Sequence, residues 1–114
     1  MVQIVVLEPD LLFSSKVESA CAKLRVETKI VAGFKDLEAS LRVEPPNVLI
    51  VNLDCFAGDL GGLKRLIQTP LKIVGYYSHV NSKLADEARA IGVDLIVPRG
   101  AFLNKIQDVL SELV

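Results

Sequence analysis

Five times along this sequence a short β-rich run gives way to a helical stripe of apolar residues, with only a few residues between them. That alternation leaves few folds open. Residues 2–7 (VQIVVL) read as a first strand. Phe13, Val17, Ala20, Cys21 and Leu24 then follow at helical spacing, with Asp10 placed to cap the helix. Residues 26–32 (VETKIVA) alternate apolar and polar, which predicts a strand with one wet face at a sheet edge. Phe34, Leu37 and Leu41 form a second helical stripe, ended by Pro45-Pro46. Residues 48–53 (VLIVNL) do not alternate, as expected of a central strand buried on both faces.

The second half repeats the plan. Leu60, Leu63 and Ile67 predict a short helix that stops before Thr69-Pro70. Residues 71–76 (LKIVGY) form the fourth strand. Ser82 is placed to cap a helix with the stripe Leu84, Ala88 and Ile91, and Gly92 stands where a C′ glycine belongs. Residues 93–97 (VDLIV) form the fifth strand, and Leu103, Ile106, Leu110 and Leu113 the last stripe. Short βα connections and right-handed crossovers turn this pattern into a three-layer α/β/α sandwich around a five-stranded parallel sheet, order 2-1-3-4-5. Its 114 residues make one domain over 1–114.

Composition matters mainly for what it excludes. Half the residues are hydrophobic and the mean hydropathy is +0.41. No apolar run reaches the roughly 18–20 residues a membrane span needs, and a sheet covered on both faces accounts for the excess. The start MVQIVVLEPD has none of the marks of an export signal. Cys21 and Cys55 are too few for a disulfide framework or a zinc site, so a reducing cytoplasm is the expected compartment. Thirteen basic and fourteen acidic residues form no basic stripe, and there is no tryptophan, which argues against nucleic acid as a partner.

Ligands of open parallel sheets bind beyond the carboxyl ends of the strands, at the topological switch point between strands 1 and 3. The residues leaving those ends are Glu8, Pro9 and Asp10 from strand 1, and Asn52, Leu53 and Asp54 from strand 3. Strand 4 supplies Tyr77, Ser78 and His79, and strand 5 supplies Pro98 and Arg99. Carboxylates, hydroxyls and a guanidinium are thereby brought to one rim. His79 has no acidic or nucleophilic neighbour in sequence, and AGDLGG is not a phosphate-binding loop.

This order of elements, with NVLIVNLDCFAG at strand 3 and IGVDLIVPRGAF around strand 5, resembles the receiver domain of bacterial response regulators over roughly residues 2 to 113. In that family strand 1 ends on two acids that hold magnesium. Strand 3 ends on the aspartate that accepts a phosphoryl group, strand 4 on a threonine or serine, and strand 5 on a lysine followed by proline. Carried onto this chain, Glu8 takes the first acid position and Pro9 the second. Asn52 takes the phosphoacceptor position and Tyr77 the hydroxyl position, with Ser78 one residue away. Arg99 replaces the lysine, Gly100 the proline, and Ile96 the switch aromatic.

Those substitutions have chemical consequences. An amide has no anionic oxygen with which to attack phosphorus. Pro9 offers magnesium no side-chain oxygen. Arg99 is a planar fork and not a compact ammonium, suited to a structural ion pair or to nearby carbonyls. Asp54 lies two residues beyond Asn52, roughly 6–7 Å further along an extended strand, a place suited to capping a turn.

The resemblance therefore implies a degenerate receiver, a pseudo-receiver of two-component signalling that is not an enzyme and needs no cofactor. It acts through protein–protein interaction or self-association on the helix 4/strand 5/helix 5 face, which includes Lys83, Glu87, Lys105 and Asp108. Two alternatives stand beside it. One is a working phosphorelay receiver phosphorylated at Asp54, with Mg²⁺ held by Glu8, Asp10 and Asp54. The other is a flavodoxin-like cofactor-binding or enzyme domain. A strand 1/strand 3 crevice closed by Tyr77 and Arg99 favours the interaction module, and an open acidic pocket favours the phosphorelay.

Overall fold

In the computed structural model the described residues are 3–56, 60–66, 71–78 and 82–113. Five parallel strands, β1 (Ile4–Leu7), β2 (Thr28–Val31), β3 (Val48–Asn52), β4 (Lys72–Tyr77) and β5 (Leu95–Pro98), form one sheet in the order β2-β1-β3-β4-β5. Between and after them run α1 (Leu11–Lys23), α2 (Phe34–Val43), α3 (Leu60–Leu66), α4 (Ser82–Ala90) and α5 (Arg99–Leu113). The expected architecture and strand order are both found.

Strand burial follows from position in the sheet. Every residue of β1 and β3 is buried, as their unbroken apolar runs require. At the edges, β2 alternates and β5 is half exposed, and Pro98 closes β5 where its missing N–H costs no interior ladder bond. Parity along the strands sorts the core into two layers. Ile4, Val6, Val48, Ile50, Val74 and Tyr76 face α1 and α5, meeting Phe13, Val17, Phe102 and Ile106. Val5, Leu7, Leu49, Val51 and Ile73 face the other way, toward Leu37, Leu63, Leu84 and Ala88.

Several local expectations shift by a residue or two. β1, β2 and β5 are shorter than their sequence runs, and β4 extends through Tyr77. β3 ends on Asn52, because Leu53–Phe56 tightens into a 3₁₀ turn. The buried stripe of α5 is Phe102, Ile106 and Leu110, with Leu103 only half buried, so the stripe begins one residue earlier than its leucines indicate. Phe34, at the first position of α2, is 44% exposed and not part of the buried stripe. α4 begins at Ser82. Ile67, Thr69, Pro70 and His79 lie outside the described residues. Gly92 does end α4 as expected. Its φ of +100° is open to glycine and hard for other residues, and the Val93 N–H returns to the Ala88 carbonyl.

Candidate functional site: the rim above strands 1, 3 and 4

Parallel pairing sets the site. Leu7 pairs with Val51 and Asn52 with Tyr76, so Glu8, Asn52 and Tyr76 come level on one face of three adjacent strands. Glu8 is 1% exposed and Tyr76 is fully buried. The Tyr76 hydroxyl donates to Glu8 Oε1 at 2.7 Å. Asn52 Nδ2 donates to both Glu8 oxygens, at 3.1 and 3.3 Å, and the Asp10 N–H donates to Oε2 at 3.1 Å. A buried carboxylate is costly without partners, and here each oxygen has two. Among the described residues no buried side-chain nitrogen or oxygen is left without a partner.

Aromatic packing fixes the phenol. The Tyr76 ring lies between Phe13, tilted at 4.9 Å, and Phe102, stacked at 5.0 Å. Burial and the neighbouring Glu8 carboxylate push the Tyr76 hydroxyl far above its ordinary range, so it remains a proton donor. Above this stack the Arg99 guanidinium sits 4.1 Å over the Phe13 ring and pairs with Asp10 Oδ2 at 3.1 Å.

Asp10 also caps α1. Its Oδ1 accepts the N–H groups of Leu12 (2.9 Å) and Phe13 (3.3 Å). Its carboxyl is held below the usual range, first by the Phe13 N–H, then by Arg99 and the Leu12 N–H. One side chain thereby joins the start of α1 to the start of α5.

The rest of the rim is tied together from β3. Asn52 Oδ1 accepts the Asp54 N–H at 3.0 Å, so both ends of that amide are engaged. Asp54 Oδ2 accepts the Ser78 N–H at 2.9 Å. The 3₁₀ turn thus curls Asp54 across to the end of β4, in place of the straight 6–7 Å extension expected from strand geometry. Cys55 is exposed, and desolvation together with the Glu8 and Asp54 charges pushes its thiol up, away from the reactive thiolate.

One sequence expectation needs correction. Tyr77 does not enter the site, because alternation turns it to the opposite layer beside Ile96. The crevice is closed by Tyr76, with Arg99 above it. In the sequence Tyr76 reads only as the last residue of the fourth strand run, LKIVGY. Its parity with Val48, Ile50 and Asn52 was the available signal, and the register with β3 decides it. Pro9 is exposed and contributes no side-chain oxygen.

The donor set does not fit a magnesium ion. Glu8 is enclosed by hydrogen-bond donors, Asp10 is engaged by a helix start and a guanidinium, and Asp54 faces a backbone N–H. Among the described residues no three His, Cys, Asp or Glu side chains converge on one point. The arrangement is an internal clamp across β1, β3 and β4.

No protein-family sequence model and no curated protein matches the chain. Solved structures do. A response regulator from Thermotoga maritima superposes with a TM-score of 0.86 at 13% identity, covering 99% of this chain and 97% of that one. A response regulator signal receiver domain from Bermanella marisrubri gives 0.83 at 16% identity, covering 97% and 96%. The phosphorylated cyanobacterial phytochrome response regulator RcpA gives 0.82 at 13% identity, covering 98% and 93%. At such identities the likeness is one of architecture, and the chain has the flavodoxin-like receiver fold of response regulators.

Proposed function

We propose that this chain is a receiver-like signalling module that works through protein–protein interaction and is not switched by aspartyl phosphate. The observation that carries the reading is the clamp itself. The acceptor position is an amide that donates to Glu8, and the space beside it is filled by a phenol bonded to the same carboxylate. Phosphoryl transfer to a receiver requires a carboxylate nucleophile and a cation against the developing charge. In this rim the carboxylates are already engaged by the protein's own donors. The module carries out no reaction; it presents a surface. Lys83, Glu87, Lys105 and Asp108 are exposed on α4 and α5 and Leu95 of β5 is 36% exposed, which supports the α4–β5–α5 side as a partner face.

The phosphorelay alternative rests on Asp54, half-buried at the rim with one oxygen on Ser78 N–H. Amide NMR separates the readings. On adding Mg²⁺ and then acetyl phosphate, the cross-peaks of Asn52, Asp54, Tyr76 and Ser78 stay in place. Large shifts there that vanish in Asp54→Ala support the phosphorelay and overturn the proposal.

A further inference from the structure

The sheet has two open edges, β2 and β5. β5 (LIVP) carries no charge that would set a pairing register, and it ends on Pro98. β2 is different. The carbonyls of Glu27 and Val31 accept the Ile4 N–H (3.2 Å) and the Glu8 N–H (3.0 Å), so the backbone groups of these odd-numbered residues face β1. Alternation then turns the N–H and C=O groups of Thr28 and Ile30 outward, and among the described residues no strand pairs with that side of β2. The side chains along the edge are accessible: Glu27 and Lys29 are exposed, and Val26, Thr28 and Ile30 are half-exposed.

The sequence of this edge is complementary to itself. From Val26 to Ile30 it reads VETKI: apolar, acid, threonine, base, apolar. An identical strand laid antiparallel and centred on Thr28 places Thr28 opposite Thr28, Glu27 opposite Lys29 and Val26 opposite Ile30. The even-numbered pairs bring outward backbones together and are the hydrogen-bonded ones. The two Glu27–Lys29 pairs fall at the non-hydrogen-bonded positions, where side chains approach most closely and opposite charges stabilise the pairing.

Neighbouring registers are worse. Centring on Lys29 sets lysine against lysine, and centring on Glu27 sets glutamate against glutamate. Centring on Ile30 puts Lys29 opposite Val31 and Glu27 opposite Gly33, which leaves the cross-strand charges unmatched. A lysine on an edge strand ordinarily discourages strand addition; here it selects one register.

We infer that β2 pairs antiparallel with β2 of a second copy of this chain, centred on Thr28, joining the two sheets into one across a two-fold axis. The inference goes beyond the reading of the chain as an interaction module. It names the partner, and it places the contact on the opposite edge of the sheet from the α4–β5–α5 face.

The test uses the whole chain in sedimentation velocity and amide hydrogen exchange over a range of concentrations. The chain dimerises, and more weakly as salt is added. The amides of Thr28 and Ile30 gain protection as the dimer forms, while Lys29 and Val31, whose backbones already face β1, change least. Lys29→Glu and Glu27→Lys each turn two attractive pairs into two repulsive ones. Each weakens self-association roughly tenfold, equivalent to about 1.4 kcal/mol, with the fold intact by circular dichroism. Mixing the two variants restores a dimer, and so does the double variant Glu27→Lys, Lys29→Glu. A chain that stays monomeric at millimolar concentration overturns the inference. So do single variants that associate as the unsubstituted chain does, or protection confined to α1, α4 or α5. None of these results touches the response to acetyl phosphate, so the two proposals fail separately.

Discussion

Glu8 is the residue on which the rim depends. It is buried, and it is held by three donors: the Asp10 N–H two residues on, and the side chains of Asn52 on β3 and Tyr76 on β4. Tyr76→Phe removes one donor and keeps the ring between Phe13 and Phe102, leaving a carboxylate oxygen short of a partner. Hydrogen bonds to charged groups contribute about 1.5–3 kcal/mol, so urea unfolding should register a loss of about 2 kcal/mol at unchanged slope. A loss within ±0.5 kcal/mol, the range of ordinary surface substitutions, contradicts the clamp. The sequence alone placed Glu8, Asn52 and Arg99 at this rim. It could not choose between adjacent tyrosines, because LKIVGYYS fits a strand in either parity and only pairing with β3 fixes which ring turns inward.

Among the elements, β3 and β4 meet with no room to spare at Gly75. A Cβ built on Gly75 would lie 2.8 Å from Cγ and Cδ1 of Leu53, the buried residue at which β3 turns into its 3₁₀ segment. Gly75→Ala therefore overpacks the contact and should cost about 1–3 kcal/mol. Pairing it with Leu53→Ala should give less than the sum of the two single losses, and strict additivity in a double-mutant cycle would show that the strands do not meet there.

Element order and type were legible because the two periods, near 3.6 and near 2, alternate without long connections. The ends were not. Whether VLIVNL stops at Asn52 or Leu53 depends on a turn stabilised by Asn52 Oδ1 and the Asp54 N–H, a local bond that no periodicity announces. The α5 stripe is ambiguous in the same way: Leu103 and Phe102 are both apolar, and the stack on Tyr76 selects the phenylalanine.

For the whole molecule, the Asp10–Arg99 pair makes acid stability a shared property of α1 and α5. The folded Asp10 carboxyl ionises below its ordinary value, so the unfolded chain binds more protons across that window. The stabilisation is complete above the usual carboxylate value, about 3.9, and is lost as pH falls through the lowered one. Asp10→Asn keeps an oxygen for the helix cap but cannot titrate. Its stability between pH 6 and pH 2, read from urea midpoints, should fall less steeply than that of the unsubstituted chain; parallel curves would remove Asp10 from the account.

The receiver fold is here combined with a rim whose polar groups satisfy one another. The most direct test is intact mass spectrometry after incubation with acetyl phosphate and Mg²⁺, with a phosphorylatable receiver treated alongside as the positive control. The predicted result is an unchanged mass for this chain while the control gains one phosphoryl group. A stoichiometric gain of one phosphoryl group on this chain, lost in Asp54→Ala, would contradict the account at its centre.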